Sequence, residues 1–233
     1  MEKNKINILC TRPLPQFLIN EVACKSVFIE ILPFIKTESI LSTQVQQEIQ
    51  LASVEKVTVV FTSMNAVDTI TSFLNGHIPD WSIYCIGTTT GNLVKEYFGE
   101  ASIAGMADDA SLLATLIVED RFVDEVIFFC GDQRRDELPA LLSQQDVTVK
   151  EVIVYKTIAL PHKINGAYDG ILFFSPSAVQ SFFQCNNVTI KTILFAIGNT
   201  TAKEIQKFST NTIIISDAPG KENLIKKMIE FFT

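Results

Sequence analysis

The chain has 233 residues, 47% hydrophobic and 19% charged, which is enough apolar material for two small packed cores and excludes a chain dominated by disorder. Its 26 acidic and 19 basic residues give a net charge of −7, which argues against a general phosphate-backbone binder, so no nucleic-acid partner is expected. No apolar run approaches the roughly 20 residues of a spanning helix, and the N-terminal MEKNKINILCTRP reads as too short for a signal peptide, so a cytoplasmic location and no membrane partner are expected.

In chain order, β-rich runs fall at 6–10, 27–32, 57–61, 82–86, 101–103, 126–130, 148–154, 170–174, 193–197 and 212–215. Continuous runs such as VIFFC suit strands buried on both faces. Helical periodicity lies between them. Val67, Ile70, Phe73 and Leu74 share a face of 64–75, and Leu93, Val94, Tyr97 and Phe98 share one of 88–98. Leu112, Leu113, Leu116 and Ile117 do so in 110–118, and Leu224, Ile225, Met228 and Phe232 in 221–232. Ser63, Thr88, Ser175 and Asn199 each precede a helix and read as N-caps. The alternation predicts parallel sheets with crossover helices.

An internal repeat refines this. VVFTSMNAV at 59–67 matches ILFFSPSAV at 171–179, and CIGTTTGNLVKEYF at 85–98 matches AIGNTTAKEIQKF at 196–208, at nearly one offset. The remaining strands complete both copies only if one domain is inserted in the other. The reading is α/β: two flavodoxin-like parallel-sheet domains of five strands each, joined by a two-stranded linker with a cleft between them. Residues 1–33 plus 160–233 form the discontinuous domain, 38–152 the inserted one, and 34–37 and 153–159 the linker strands. A single ten-strand doubly wound sheet is the weaker alternative.

Ligands of open parallel sheets bind beyond the carboxyl ends of the strands, where strand order reverses. The loops there are Thr11-Arg12-Pro13 and Ser175-Pro176-Ser177 in one domain, and Gly131-Asp132-Gln133 and Thr62-Ser63-Met64-Asn65 in the other. Gly87-Thr88-Thr89-Thr90 and Gly198-Asn199-Thr200-Thr201 lie beside them. Helix N-termini and hydroxyls favour anions without requiring Lys or Arg. Neither GxGxxG nor a P-loop is present. Tyr155 lies on a domain crossing, where its hydroxyl can assist a leaving group or simply pack the hinge. Arg134 and Arg135 read as the opening turn of a helix, and Asp108-Asp109 as loop charges. The scattered Cys10, Cys24, Cys85, Cys130 and Cys185 contain no CxxC pair, and His77 and His162 are the only histidines, so neither a metal site nor a His-based triad is indicated.

These residues resemble the uroporphyrinogen-III synthase family. The resemblance rests on T-R-P at 11–13, F-T-S-x-x-A-V at 61–67, I-G-x-x-T at 86–90 and G-x-x-x-R-x-x-L-P at 131–139. It continues with V-Y-x-T at 154–157, F-S-P-S-A-V at 174–179 and I-G-x-T-T-A at 197–202, and so covers most of the chain. Met64 stands where Pro is often found, Gly91 where Ala is common, and Ala23-Cys24-Lys25 lacks the usual Gly.

The resemblance implies a lyase (hydro-lyase) of haem biosynthesis. It would close the linear tetrapyrrole hydroxymethylbilane to uroporphyrinogen III with loss of water and inversion of ring D, without metal or organic cofactor; a monomer is expected by default, since the sequence shows no clear oligomer interface. It places catalytic assistance to hydroxyl departure at Tyr155. Substrate binding falls to Thr90, Thr200 and Thr201, to Ser63 and Ser175 with the amides of Asn65, Ala66, Ser177 and Ala178, and to Thr11, Gly87, Gly131 and Gly198. Arg12 and Arg135 are anion contacts. The alternative is a non-enzymatic hinge-closing binder of a small anion. A flavodoxin-like redox or signalling protein fits poorly, since Cys10-Thr11 and Cys130-Gly131 stand where an acceptor Asp would be.

Overall fold

The computed structural model describes residues 6–218 and 220–233. In chain order its elements are β1 (Ile6–Cys10), α1 (Gln16–Cys24), β2 (Val27–Ile31), β3 (Ile35–Ser39), α2 (Thr43–Val54), β4 (Val57–Phe61), α3 (Met64–Leu74), β5 (Trp81–Ile86), α4 (Thr88–Phe98) and β6 (Ile103–Ala107). They continue with α5 (Ala110–Glu119), β7 (Glu125–Gly131), α6 (Glu137–Ser143), β8 (Thr148–Ala159), β9 (Gly170–Phe173), α7 (Pro176–Phe183), β10 (Ile193–Ala196), α8 (Asn199–Gln206), β11 (Ile213–Ile215) and α9 (Lys221–Phe232). The chain forms two compact units. The first comprises residues up to Lys36 and Ile158–Thr233, the second Thr37–Thr157.

The first unit carries a parallel sheet of order β11-β10-β9-β1-β2. Counted within the unit, that order is the doubly wound pattern with its switch point between β1 and β9. Alternate strand residues supply opposite faces. Ile8, Cys10, Leu172 and Phe195 pack with Leu18, Leu224 and Met228 of α1 and α9. Leu9, Ile171, Phe173 and Leu194 pack with Val179, Phe182 and Ile205 of α7 and α8. Each such fully buried side chain contributes about 1.5–3 kcal/mol.

The second unit repeats the plan with a permuted chain. Its sheet runs β3-β8-β7-β4-β5-β6, and the five strands from β8 to β6 are parallel. Val59, Phe61, Ile83 and Phe129 face Ile49, Ile70 and Val94 of α2, α3 and α4. Val60, Phe128 and Cys130 face Leu113, Ile117 and Leu138 of α5 and α6.

Three expectations need correction. The second sheet has six strands rather than five, because β3 joins its edge. Ile40 N–H donates to Val154 C=O (2.7 Å) and Leu160 N–H to Phe34 C=O (2.8 Å), so β3 runs antiparallel to β8. β3 overlaps the linker strand expected at 34–37, and its polar sequence IKTES suits an edge. The strand expected at 101–103 lies at 103–107, behind a single 3₁₀ turn at Glu100–Ser102. Its small residues hide the pattern, yet Gly105 is required: a Cβ there would sit 2.8 Å from the Tyr84 ring. Finally, Tyr97, Leu112 and Leu116 remain exposed although they fall on the predicted apolar faces. Among the described residues no helix is long and apolar enough to cross a membrane.

Candidate active site

In the second unit the strand order reverses between β7 and β4, and the loops that follow them meet there. Ser63 caps α3 in extended backbone, and its Oγ accepts from the Asn65 N–H (3.2 Å). Tyr155, on β8, donates its hydroxyl to the same Oγ (3.1 Å). With two bonds accepted, the Ser63 hydroxyl keeps its own proton available as a donor.

Tyr155 is held in place by the end of β7 and the residue that follows it. A register shift between Cys130 and Gly131 sets Gly131 opposite Tyr155. Asp132 N–H donates to the Tyr155 carbonyl (3.1 Å), and the Asp132 carboxylate accepts from Thr157 N–H (2.9 Å). A Cβ on Gly131 would lie 2.4 Å from Tyr155 Cζ, so only glycine admits the ring. Ser63, Gly131 and Tyr155 line a pocket of about 390 Å³, shared with Gln133, Arg135 and Asp109.

The polar residues around this pocket differ in their commitments. Arg134 bonds Glu151 and Asp136, and α6 begins only at Glu137, so the arginine pair sits in the loop before the helix and not in its first turn. Arg135 faces the pocket. Asp109 is an N-cap whose carboxylate accepts from Leu112 N–H (2.9 Å). Gly87, with φ of 83°, caps α4, so Thr88 is its first residue and not the cap. Thr90 is buried one turn in. Gly91 makes room for Met106, whose Sδ would stand 2.3 Å from a Cβ there, which accounts for the departure from Ala.

The corresponding loops of the first unit are built alike. Thr11 is buried and donates both its hydroxyl (2.7 Å) and its amide (3.2 Å) to the Leu172 carbonyl, clasping β1 to β9. Arg12 follows, half-buried, and burial lowers the pKa of its guanidinium. Ser175 caps α7 by accepting from Ala178 N–H (3.2 Å), with Ser177 Oγ at 3.2 Å from Ser175 Oγ. Gly198, in extended backbone, caps α8, so Asn199 too is a first helical residue; Thr200 follows, and Thr201 is buried. Amides expected to be open are therefore partly spent. Asn65 and Ala178 serve the caps, and Ala66 N–H donates to the Ser63 carbonyl (3.2 Å).

The buried thiols are not nucleophiles. Burial pushes Cys10 and Cys130 up to about 12 and raises Cys85. Among the described residues no three His, Cys, Asp or Glu side chains gather as metal ligands. Sequence reasoning overlooked Lys221, whose Nζ donates to the Pro13 carbonyl (3.3 Å) beside Arg12. The available signal was a lysine in the first turn of a predicted helix, where the dipole disfavours a cation.

A doubly wound unit with a hydroxyl-lined pocket at its switch point is an arrangement found in ligand-binding α/β enzymes. The family model described as Uroporphyrinogen-III synthase HemD matches residues 27–226, and the chain belongs to that family. The uroporphyrinogen-III synthase of Saccharomyces cerevisiae is 25% identical over 186 residues, 68% of this chain and 67% of that protein. Uroporphyrinogen-III synthetase from Helicobacter pylori shares the fold with a TM-score of 0.65 at 15% identity, over 97% of this chain and 99% of that one. A mutant uroporphyrinogen III synthase from the extremely thermophilic bacterium Thermus thermophilus does so with a TM-score of 0.65 at 12% identity, over 97% of each. The family match does not favour the non-enzymatic binder.

Proposed function

We propose that this chain is a lyase that closes hydroxymethylbilane to uroporphyrinogen III, with loss of water and inversion of ring D. The observation that carries the reading at the level of residues is the meeting of the Tyr155 and Ser63 hydroxyls in the pocket of the second unit. Departure of the substrate hydroxyl breaks a C–O bond. The oxygen takes the bonding pair and one proton and leaves as water, and the pyrrole nitrogen electrons stabilise the carbon left behind. The substituted α-carbon of ring D attacks that carbon to give a spiro intermediate, which fragments and recloses. The final loss of a proton from the closing carbon restores the donor.

Tyr155, with Ser63 as its hydrogen-bonded neighbour, is assigned the donation to the departing oxygen. Such general acids contribute about 10²–10⁴-fold. Carboxylate contacts are assigned to Ser63, Thr90 and Arg135, and to Arg12, Ser175, Ser177, Thr200 and Thr201. Gly87, Gly131 and Gly198 set the turns that present them, and Thr11 fixes the loop that carries Arg12. The protein is proposed to act as a cytoplasmic monomer.

The test is the isomer formed. Hydroxymethylbilane closes spontaneously to isomer I, without ring inversion. Addition of the purified protein is expected to yield isomer III in excess; isomer I alone refutes the reading.

A further inference from the structure

Several cations of this acidic chain find a carboxylate. Lys95 pairs with Glu100, Arg134 with Glu151, Lys207 with Glu204 and Lys227 with Asp217. Among the described residues neither Arg12 nor Lys221 forms an ion pair. They nevertheless belong to one junction of the first unit. Lys221 Nζ is tied to the carbonyl of Pro13, the residue after Arg12. The loop is pinned from below, because Thr11 is bonded to Leu172 and Cys10 Sγ donates to the Arg12 carbonyl (3.0 Å).

Burial lowers the pKa of both groups, and the Arg12 charge lowers that of Lys221 further. The Glu222 charge opposes that shift. Neither helix stability nor an ion pair accounts for a lysine here. The helix dipole disfavours a cation in the first turn, and two like charges held together repel. An anion shared by the two cations relieves that repulsion.

We infer that Arg12 and Lys221 form a two-cation receptor for one carboxylate group of the substrate, with Lys221 setting affinity rather than chemistry. The identity of the ligand as substrate rests on the function proposed above. The receptor commits to a carboxylate because the substrate class is a polyacid, and because guanidinium and ammonium groups together satisfy both of its oxygens.

The test compares wild type with Lys221→Gln and Lys221→Arg in steady-state formation of isomer III. Lys221→Gln is expected to raise KM about tenfold with kcat nearly unchanged, since a hydrogen bond to a charged group is lost in ground and transition states alike. Lys221→Arg is expected to restore most of the KM. An unaltered KM in Lys221→Gln, or a fall confined to kcat, overturns the inference.

A second measurement is independent of catalysis. Protein labelled with ¹³C-lysine is titrated with tricarballylate and the Lys221 Cε resonance followed. A saturable shift in wild type that is lost in Arg12→Gln supports the receptor, and no saturable shift in wild type overturns it. If wild type yields isomer I alone, the functional reading fails. In that event a saturable tricarballylate shift still establishes the carboxylate receptor, so the two failures are distinguishable.

Discussion

Replacing Gly131 by Ala tests the placement of Tyr155 without touching a polar group. The added Cβ would lie 2.4 Å from Tyr155 Cζ, 2.6 Å from Cε2 and 2.7 Å from the hydroxyl oxygen. Carbon atoms settle at about 3.5–4.0 Å, so the ring must retreat by about 1 Å. The bond to Ser63, 3.1 Å in the native arrangement, does not survive such a movement. A misplacement of about 1 Å costs on the order of 100-fold in rate. Overpacking costs about 1–3 kcal/mol, well short of unfolding an ordinary domain.

The assay is kcat for isomer III formation beside a thermal melt. Tyr155→Phe serves as comparator and is expected to slow closure about tenfold or more while leaving the fold intact. The double variant should be little slower than the slower single one, because both lesions remove the same positioned hydroxyl. Wild-type turnover in Gly131→Ala would refute the placement argument. Wild-type turnover in Tyr155→Phe would remove Tyr155 from the mechanism.

Two further outcomes are expected. Burial and the hydrogen bond to Asp120 (3.0 Å) push the Tyr84 hydroxyl up to about 12, above its unfolded value of about 10. A pKa raised by folding adds stability that is complete below the unfolded pKa and is lost as pH rises through the folded one. The wild-type melting temperature should therefore fall between about pH 10 and 12, and Tyr84→Phe should fall less steeply; Tyr168, likewise near 12, titrates in both proteins and cancels from the comparison. An identical slope in Tyr84→Phe refutes the assignment. Thr201→Val, isosteric at a buried position, should weaken product binding several-fold, about the worth of one hydrogen bond, and an unaltered affinity by calorimetric titration would exclude the hydroxyl as a contact.

The sequence exposed the features that depend on apolar pattern and on repetition. VIFFC, VTVVF and ILFF are buried on both faces and read as strands, and the two serine caps recur at equal places in the repeat. Features set by long-range geometry were hidden. The linker strand read at 34–37 gave no sign that β3 completes the edge of the second sheet, and α2 buries only Ile49 and Ala52, too little for a clear stripe. Thr88 and Asn199 look like caps by residue type, but the preceding glycine takes the cap position in each case. The contact between Tyr155 and Ser63 spans 92 residues, and that between Lys221 and Pro13 spans 208; no local pattern encodes either.

The charge of the chain then sharpens the question of recognition. A net charge of −7 opposes approach of a polyacid at long range, but salt screens that field within about 8 Å at physiological ionic strength. Short-range donors therefore decide the matter. Amide dipoles at the helix starts alone cannot carry the load, because the amides of Asn65, Ala66 and Ala178 are already bonded within their own caps. Hydroxyls that still hold a donor, and cations without a carboxylate, are what remains. Ser63 is of the first kind, Arg12 and Lys221 of the second. An acidic protein that leaves two cations unneutralised at one junction keeps its positive charge where a carboxylate can use it, and Lys221→Gln measures that use directly.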